Sequence, residues 1–196
     1  MMAILEDDTL AHPALEAVVT VDEEIGLLGA AAMDTSVLKG KMLLNLDSEE
    51  EGILTVSCAG GMTSVMELPV GRDEVSGVWY QVEISGLQGG HSGAEIHKNR
   101  ANANILMGRL LHGLDLRMDF ALAELEGGNK DNAIPRSCVA QIVIGSDGEE
   151  TLYGYLETMQ ENFRKEYAGS EKEISVTARK TGSGAVPVLN PVSMQK

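Results

Sequence analysis

The stretch VWYQVEISG, residues 78–86, decides the fold of the second part of the chain. Apolar and polar residues alternate along it, which is typical of a strand with one face on a core and the other in water. Working outward, the pattern predicts further elements: helices at 98–114 and 148–168, and strands at 115–128, 133–145 and 173–180. The order β-α-β-β-α-β is that of a ferredoxin-like domain, with two helices on one side of a sheet. We expect this domain over residues 75–181.

The first part of the chain predicts a different α/β arrangement. ALEAVVTV (14–21) and MLLNL (42–46) are almost continuously apolar, and the Ala-rich segment IGLLGAAAM (25–33) between them suits a short helix. Strands of this kind are typical of a parallel βαβ unit that is buried on both faces. We therefore expect part of a parallel sheet in residues 1–60, linker strands in 61–74 and a short tail in 182–196.

Composition narrows the possible partners. The 196 residues carry a net charge of −15, which argues against binding nucleic acid or an anionic membrane, because both require Lys and Arg. Such an acidic balance most often serves solubility, although it is compatible with cation binding. Cys58 and Cys138 form no CxxC or CxxH pair. We therefore expect both to be free thiols in a reducing compartment. The N-terminus lacks the basic region of a signal peptide, and no apolar run is long enough to span a membrane.

Clustered acids follow both predicted parallel strands. Asp22, Glu23 and Glu24 come directly after the first strand, and the segment Asp47–Glu51 follows the second. Ligands of a parallel sheet bind outside the carboxyl ends of its strands. If the two strands are neighbours, these carboxylates converge and either share protons or bind a divalent metal. The alternatives are helix capping for the first cluster and a solvated loop for the second.

The residues alone leave the metal open. Carboxylates by themselves favour Mg²⁺ or Ca²⁺, but the D-x-D-x-D-G pattern of a calcium loop does not occur. Zinc would also require His ligands, and the sequence contains neither H-x-D nor H-E-x-x-H. His12 precedes the first strand. It is therefore expected at the amino end of that strand, away from the clustered acids at the carboxyl ends, where it could not bind the same metal.

Five segments in order carry a family resemblance: TVDEEIG (20–26), LLNLDSEEEG (43–52), CAGG (58–61), GLQGGHSGAEIH (86–97) and NAIPR (132–136). Together they resemble the aminoacyl-histidine dipeptidases, the peptidase D or carnosinase-like cytosolic dipeptidases of the di-zinc peptidase group. GGHSGAEIH is the most specific of these segments. The resemblance runs through essentially the whole chain, and it implies a cytoplasmic enzyme that hydrolyses Xaa-His dipeptides.

The resemblance also assigns roles near the two acid clusters. It implies two zinc ions, with Glu24 binding one and Asp47 binding the other. Glu23 matches the general base that takes a proton from the metal-bridging water.

In the second part of the chain, the resemblance implies a lid domain that forms a homodimer. His91 matches a lid residue that reaches the active site of the partner subunit, where it hydrogen-bonds the substrate and stabilises the oxyanion. Asn132 matches an Asn that holds the substrate backbone or its terminal carboxylate. The plainer alternatives are a surface His in a mobile loop and a turn residue.

The sequence departs from the family at its metal ligands. The H-x-D motif, the bridging Asp of G-A-D-x-G and the last His of the family do not occur in it. The lid of the family is also about twice as long as the part of this chain that follows Val75. We therefore expect an internal fragment that is inactive by itself. The other interpretation is a non-catalytic dimerisation or binding module derived from the same fold.

Overall fold

The computed structural model describes residues 1–47, 51–57, 62 and 64–195. The chain separates into two compact units, Met1–Gly61 and Met62–Lys196, and each is described by itself. Among the described residues, no helix is both long and apolar enough to cross a lipid bilayer.

The described residues of the first unit form two short helices, α1 (Met2–Glu6) and α2 (Leu28–Ala32), and a 3₁₀ turn at Thr35–Val37. The carboxylate of Glu16 ties two segments of this unit together, because it accepts hydrogen bonds from the backbone N–H groups of Lys39 (2.9 Å) and Gly40 (2.6 Å).

The predicted parallel βαβ pairing is not formed in the described residues of this unit. Residues 14–21 and 42–46 are not assigned to any strand, and their apolar side chains are largely exposed: Val19 is 86% exposed and Leu43 86% exposed. Strands of this composition require a covering layer on both faces, and two strands alone do not make a stable sheet. The described residues of the unit supply no such layers, so the prediction of a parallel sheet here was wrong for the chain taken alone.

The second unit holds the predicted ferredoxin-like arrangement. Its elements in chain order are β1 (Arg72–Ser85), β2 (Gly90–His91), α3 (Ala103–Asp115), β3 (Phe120–Gly127), β4 (Ala133–Ile134), β5 (Cys138–Ile144), α4 (Glu149–Glu166), β6 (Ser175–Leu189) and α5 (Pro191–Met194). The main sheet has the strand order β3-β5-β1-β6, and neighbouring strands are antiparallel. This order confirms the β-α-β-β-α-β prediction. Strands β2 and β4 form a separate two-stranded ribbon.

Several boundaries differ from those predicted, and two of the differences have a clear local reason. The strand expected at 133–145 is divided into β4 and β5, and Pro135, which has no N–H to donate, lies between them. Strand β6 continues to Leu189, because β1 is long enough to pair with it from Arg72 to Ser85, with a shift in register between Trp79 and Tyr80.

The core lies between the sheet and the two long helices. Helix α3 places an apolar stripe at the i, i+4, i+8 positions Leu106, Leu110 and Leu114 against this core. The sheet and α4 contribute fully buried side chains: Tyr80, Val82, Ile84, Ile142, Leu152 and Phe163. Each such large apolar side chain stabilises the fold by about 1.5–3 kcal/mol relative to its exposed state.

Candidate substrate-binding site

The β2–β4 ribbon brings His91 and Asn132 together. His91 is aligned with Ala133 and Gly90 with Ile134 across the ribbon. The backbone N–H of Ser92 donates a 2.8 Å hydrogen bond to the carbonyl of Asn132. His91 on β2 and Asn132, directly before β4, therefore lie close together along the backbone, although they are far apart in sequence.

The ribbon approaches neighbouring side chains closely at two glycines. Gly89 has φ +66° and Gly90 has φ +137°, which is the region that glycine adopts at least cost. A Cβ on Gly89 would lie 2.3 Å from Cγ of Arg136, whose Nε donates to the carbonyl of Leu87 (3.2 Å). These contacts explain why the loop before His91 carries two successive glycines.

Glu171 anchors both ends of the segment that carries His91. One of its carboxylate oxygens accepts from the backbone N–H of Gln88 (2.9 Å) and the other from that of Ala101 (3.0 Å). Its side chain is buried, and a buried carboxylate is tolerated where such donors satisfy it. Sequence reasoning missed this residue, because an isolated Glu after a helix carries no recognisable motif.

The ring of His91 has a defined hydrogen-bond arrangement. Its Nδ1 lies 3.0 Å from the backbone nitrogen of Gly93 and 3.1 Å from that of Ala94, and both are donors. Nδ1 is therefore the acceptor, so the neutral ring carries its proton on Nε2. A Cβ on Gly93 would lie 3.3 Å from the ring, so this glycine permits the close approach.

Glu95 and Arg100 surround the backbone at His91. One oxygen of Glu95 (Oε2) accepts from the His91 backbone N–H (3.0 Å), and the other (Oε1) contacts Nζ of Lys98 (2.6 Å) and Nη2 of Arg100 (3.1 Å). Arg100 also donates through Nη1 to the carbonyl of Gly89. The hydrogen bond from Lys98, followed by that from the His91 backbone, lowers the pKa of Glu95 to about 2.

A cavity of about 510 Å³, with both polar and apolar walls, lies beside the ribbon. Its walls include side chains that flank the two predicted residues: Ser92, Asn102, Asn104, Asn129, Lys130 and Asp131. The volume lies within the range of small-ligand pockets. These donors and acceptors suit a short polar ligand such as a peptide.

The acid clusters of the first unit do not form a metal centre in the described residues. Glu23, Glu24 and Asp47 are all exposed. No group of three or more His, Cys, Asp or Glu side chains in the described ranges is arranged to hold a metal ion. A zinc site requires three or four protein ligands, so the residues present do not fit zinc by themselves. Ser48, Glu49 and Glu50 of the second cluster lie outside the described residues.

Helix capping does not account for the first cluster. Helix α2 begins at Leu28 with Leu27 at its N-cap, and no acidic residue lies in its first turn. The carbonyl of Glu23 instead accepts from the N–H groups of Gly26 and Leu27 in a turn. The structure therefore leaves the acids at 22–24 without a capping role.

Comparison with known proteins identifies the second unit. Residues 82–171 match the family model described as peptidase dimerisation domain. The cytosol non-specific dipeptidase of Escherichia coli (strain K12) is 37% identical over 177 residues, which is 89% of this chain and 36% of that protein.

A solved structure agrees with this match. The aminoacylhistidine dipeptidase from Vibrio alginolyticus is 29% identical and aligns with a TM-score of 0.72 over 99% of this chain and 40% of its own. The chain thus spans well under half the length of both relatives. The resemblance to the aminoacyl-histidine dipeptidases is confirmed, with residues 82–171 matching the peptidase dimerisation domain model.

Proposed function

We propose that this chain supplies the lid of a metal-dependent dipeptidase and that His91 and Asn132 bind its peptide substrate. The observation that carries the proposal is the ribbon, in which the Ser92 N–H bonds to the Asn132 carbonyl at 2.8 Å. It supports the proposal because two residues that sequence similarity assigns to one substrate are adjacent in space. The cavity beside the ribbon, which is lined by the neighbouring residues Ser92, Asp131 and Ala133, gives a peptide room to bind.

The chemistry of the two side chains suits this role. In the arrangement of the ring, Nε2 is the N–H donor that remains available for an oxyanion, because Nδ1 already accepts two backbone hydrogen bonds. The carboxamide of Asn132 has both a donor and an acceptor, which match a peptide group or a terminal carboxylate. In the complete enzyme, His91 would act in the active site of the partner subunit.

The metal-dependent part of the proposal concerns the first unit. We assign Glu23 as the general base that accepts the proton of the attacking water, and Glu24 and Asp47 as one carboxylate ligand each to two zinc ions. Because two carboxylates do not make up a zinc site, ligation is assigned to the whole enzyme and not to this chain alone. Within this proposal, residues 1–60 belong to the catalytic domain and residues 75–181 to the lid, and Xaa-His dipeptides are the substrates.

The homodimer is part of the same proposal. The matching family model is described as a peptidase dimerisation domain, and β3 and β6 are edge strands of the sheet. Edge strands present unpaired backbone groups to another chain. The proposal includes a cytoplasmic location, because the similar Escherichia coli dipeptidase is a cytosol enzyme.

A non-catalytic dimerisation or binding module is the second candidate. It is favoured by the contrast between the two units: the second has a complete four-stranded sheet and core, whereas the described residues of the first form no strand. Such a module would bind a partner chain without using His91 chemically.

A chimera separates these functions. Residues 82–171 would replace the matching segment of the Escherichia coli dipeptidase, and turnover of an Xaa-His dipeptide would be measured. We expect an active chimera in which His91→Ala lowers kcat by about 10²–10³, the usual effect of losing an oxyanion donor, and Asn132→Ala raises KM. The control is His97→Ala, which should retain full activity. His97 is an exposed residue in the 3₁₀ turn Ile96–Lys98.

The outcomes of this experiment are distinct. An active chimera in which His91→Ala is as fast as the unchanged chimera would contradict the catalytic role and favour the module. The 196-residue chain alone, supplied with zinc, should show no turnover, since it lacks a complete set of ligands.

A further inference from the structure

The proposed role of His91 requires a ring in one tautomer and one orientation. The ring is attached to an exposed ribbon, and its Nδ1 contacts come from the backbone of its own turn, at Gly93 and Ala94. Those contacts hold only while the turn keeps its shape. What maintains the turn therefore decides whether Nε2 remains the donor.

Glu95 is placed to maintain the turn. It follows the turn, and its backbone N–H donates to the carbonyl of His91 (3.1 Å) while its carboxylate accepts from the N–H of the same residue (3.0 Å). Both backbone groups of His91 are thus bonded to one residue. Hydrogen bonds to an ionised carboxylate are stronger than neutral ones.

Arg100 holds that carboxylate from the other side. Its guanidinium contacts Glu95 and also donates to the carbonyl of Gly89, two residues before His91. The Arg100 side chain is 16% exposed, against 44% for Lys98, the other cation at Glu95. A planar guanidinium with several donors can join two acceptors in fixed geometry, which an ammonium does less well.

Gly90 shows how closely this pair approaches the backbone. A Cβ at this position would lie 2.3 Å from Nη1 of Arg100 and 2.6 Å from Oε2 of Glu95. Only glycine fits there without displacing one of the two side chains. The two glycines of the loop therefore have different neighbours, Arg136 at Gly89 and the Glu95–Arg100 pair at Gly90.

We propose that Glu95 and Arg100 are positioning residues that fix the backbone turn of His91 and thereby hold its ring as the Nε2–H donor. The proposal rests on the proposed function for the importance of that donor, but the geometry it describes is a property of this chain. Binding and catalytic sites generally require such partners, because they hold the residue that contacts the substrate in its productive orientation.

The test uses ¹⁵N NMR of the histidine rings in the 196-residue chain at alkaline pH. For the unchanged chain, the Nδ1 and Nε2 signals of His91 should be well separated, as in a single Nε2–H tautomer. In Glu95→Ala, the two signals should move toward each other, and exchange of the His91 amide proton should accelerate about tenfold or more, the effect of losing a charge-assisted hydrogen bond. Glu95→Gln, which keeps an acceptor oxygen, should lie between the two.

The matched control is Glu166→Gln, which removes an equally simple ion pair on the same unit, that of Glu166 with Arg109 (2.8 Å). It should leave the His91 signals unchanged. Arg100→Lys and Arg100→Met provide a second pair of variants, of which the lysine should retain more of the original signature. Circular dichroism identifies any variant that fails to fold, and the isosteric Glu95→Gln then decides the result.

The proposal is overturned if the His91 ring and amide are the same in folded Glu95→Ala or Glu95→Gln as in the unchanged chain. Its failure is separate from that of the proposed function. Suppose that the His91 ring is fixed in the unchanged chain and becomes mobile in Glu95→Ala, while His91→Ala does not change the activity of the chimera. These results would support the positioning role of Glu95 and Arg100 and contradict the catalytic role of His91.

Discussion

Glu95, beside the ribbon, has a strongly lowered pKa. The value is about 2, and its largest cause is the hydrogen bond from Lys98, followed by the one from the His91 backbone. A carboxyl whose pKa is depressed in the folded state stabilises that state above its ordinary pKa of 4.5, and this contribution is lost as the pH falls toward 2. The contribution of the Glu95 carboxylate to the turn at His91 is thus expected to persist under mildly acidic conditions and to be lost only in strong acid.

We predict that the carboxyl carbon of Glu95 titrates near pH 2 in ¹³C NMR, well below its ordinary value. Lys98→Met should raise that midpoint toward 4.5, because it removes the largest cause of the shift. Lys165→Met is the control, since Lys165 pairs with Glu161 on α4. A midpoint for Glu95 that is unaffected by Lys98→Met would contradict the assigned cause.

For single residues, the sequence predicts those that belong to a recognisable motif. It misses those whose side chains bind backbone groups that folding brings near them. His91 and Asn132 are found from GGHSGAEIH and NAIPR, and the ribbon brings them together. Glu95 and Glu171 are not found, because what they do depends on hydrogen bonds to backbone groups that become neighbours only on folding. A carboxylate that binds backbone N–H groups leaves no spacing pattern.

Among the elements, helix α3 shows how far periodicity determines burial. Leu114 in its last turn is fully buried, and Leu116, directly after the helix, is 72% exposed. The same substitution at the two positions is therefore a matched comparison. We predict that Leu114→Ala lowers the free energy of unfolding by about 2–5 kcal/mol, and that Leu116→Ala changes it by less than about 0.5 kcal/mol.

Urea unfolding of both variants, followed by circular dichroism, measures the difference. Equal losses of stability would mean that α3 does not pack on the sheet through the stripe that includes Leu106, Leu110 and Leu114. A loss at Leu116 alone would mean that the chain after the helix is covered in solution.

Elements of the second unit were predictable because each carries its own periodic signal. The alternation in β1 and the apolar stripe of α3 require only neighbours within the same unit. The strands expected at 14–21 and 42–46 do not have this advantage. A strand that is apolar on both faces indicates that it is buried, but its sequence does not supply the layers that cover it. The described residues of the first unit provide no such layers, and side chains such as Leu44 are 80% exposed.

For the whole molecule, self-association is the property that the proposed function requires of the second unit. The sheet ends in β3 and β6, and β3 carries Leu125, which is 55% exposed near an edge. Pairing of an edge strand with a second copy would satisfy its free backbone groups, and a charge placed on such an edge opposes pairing. The net charge of −15 also opposes association at low salt, since like charges are then poorly screened.

We predict that the 196-residue chain forms a reversible dimer, with a mass by light scattering of twice the 20.9 kDa of the single chain. The dimer should strengthen as salt rises to physiological strength, because screening weakens the repulsion between two acidic copies. Leu125→Lys should shift the equilibrium toward monomer if β3 is the paired edge, whereas Ala185→Lys on β6 should do so if the other edge pairs. A single-chain mass at high protein concentration and physiological salt would contradict the dimer, and a mass that rises without a plateau would indicate aggregation through the exposed apolar side chains of the first unit.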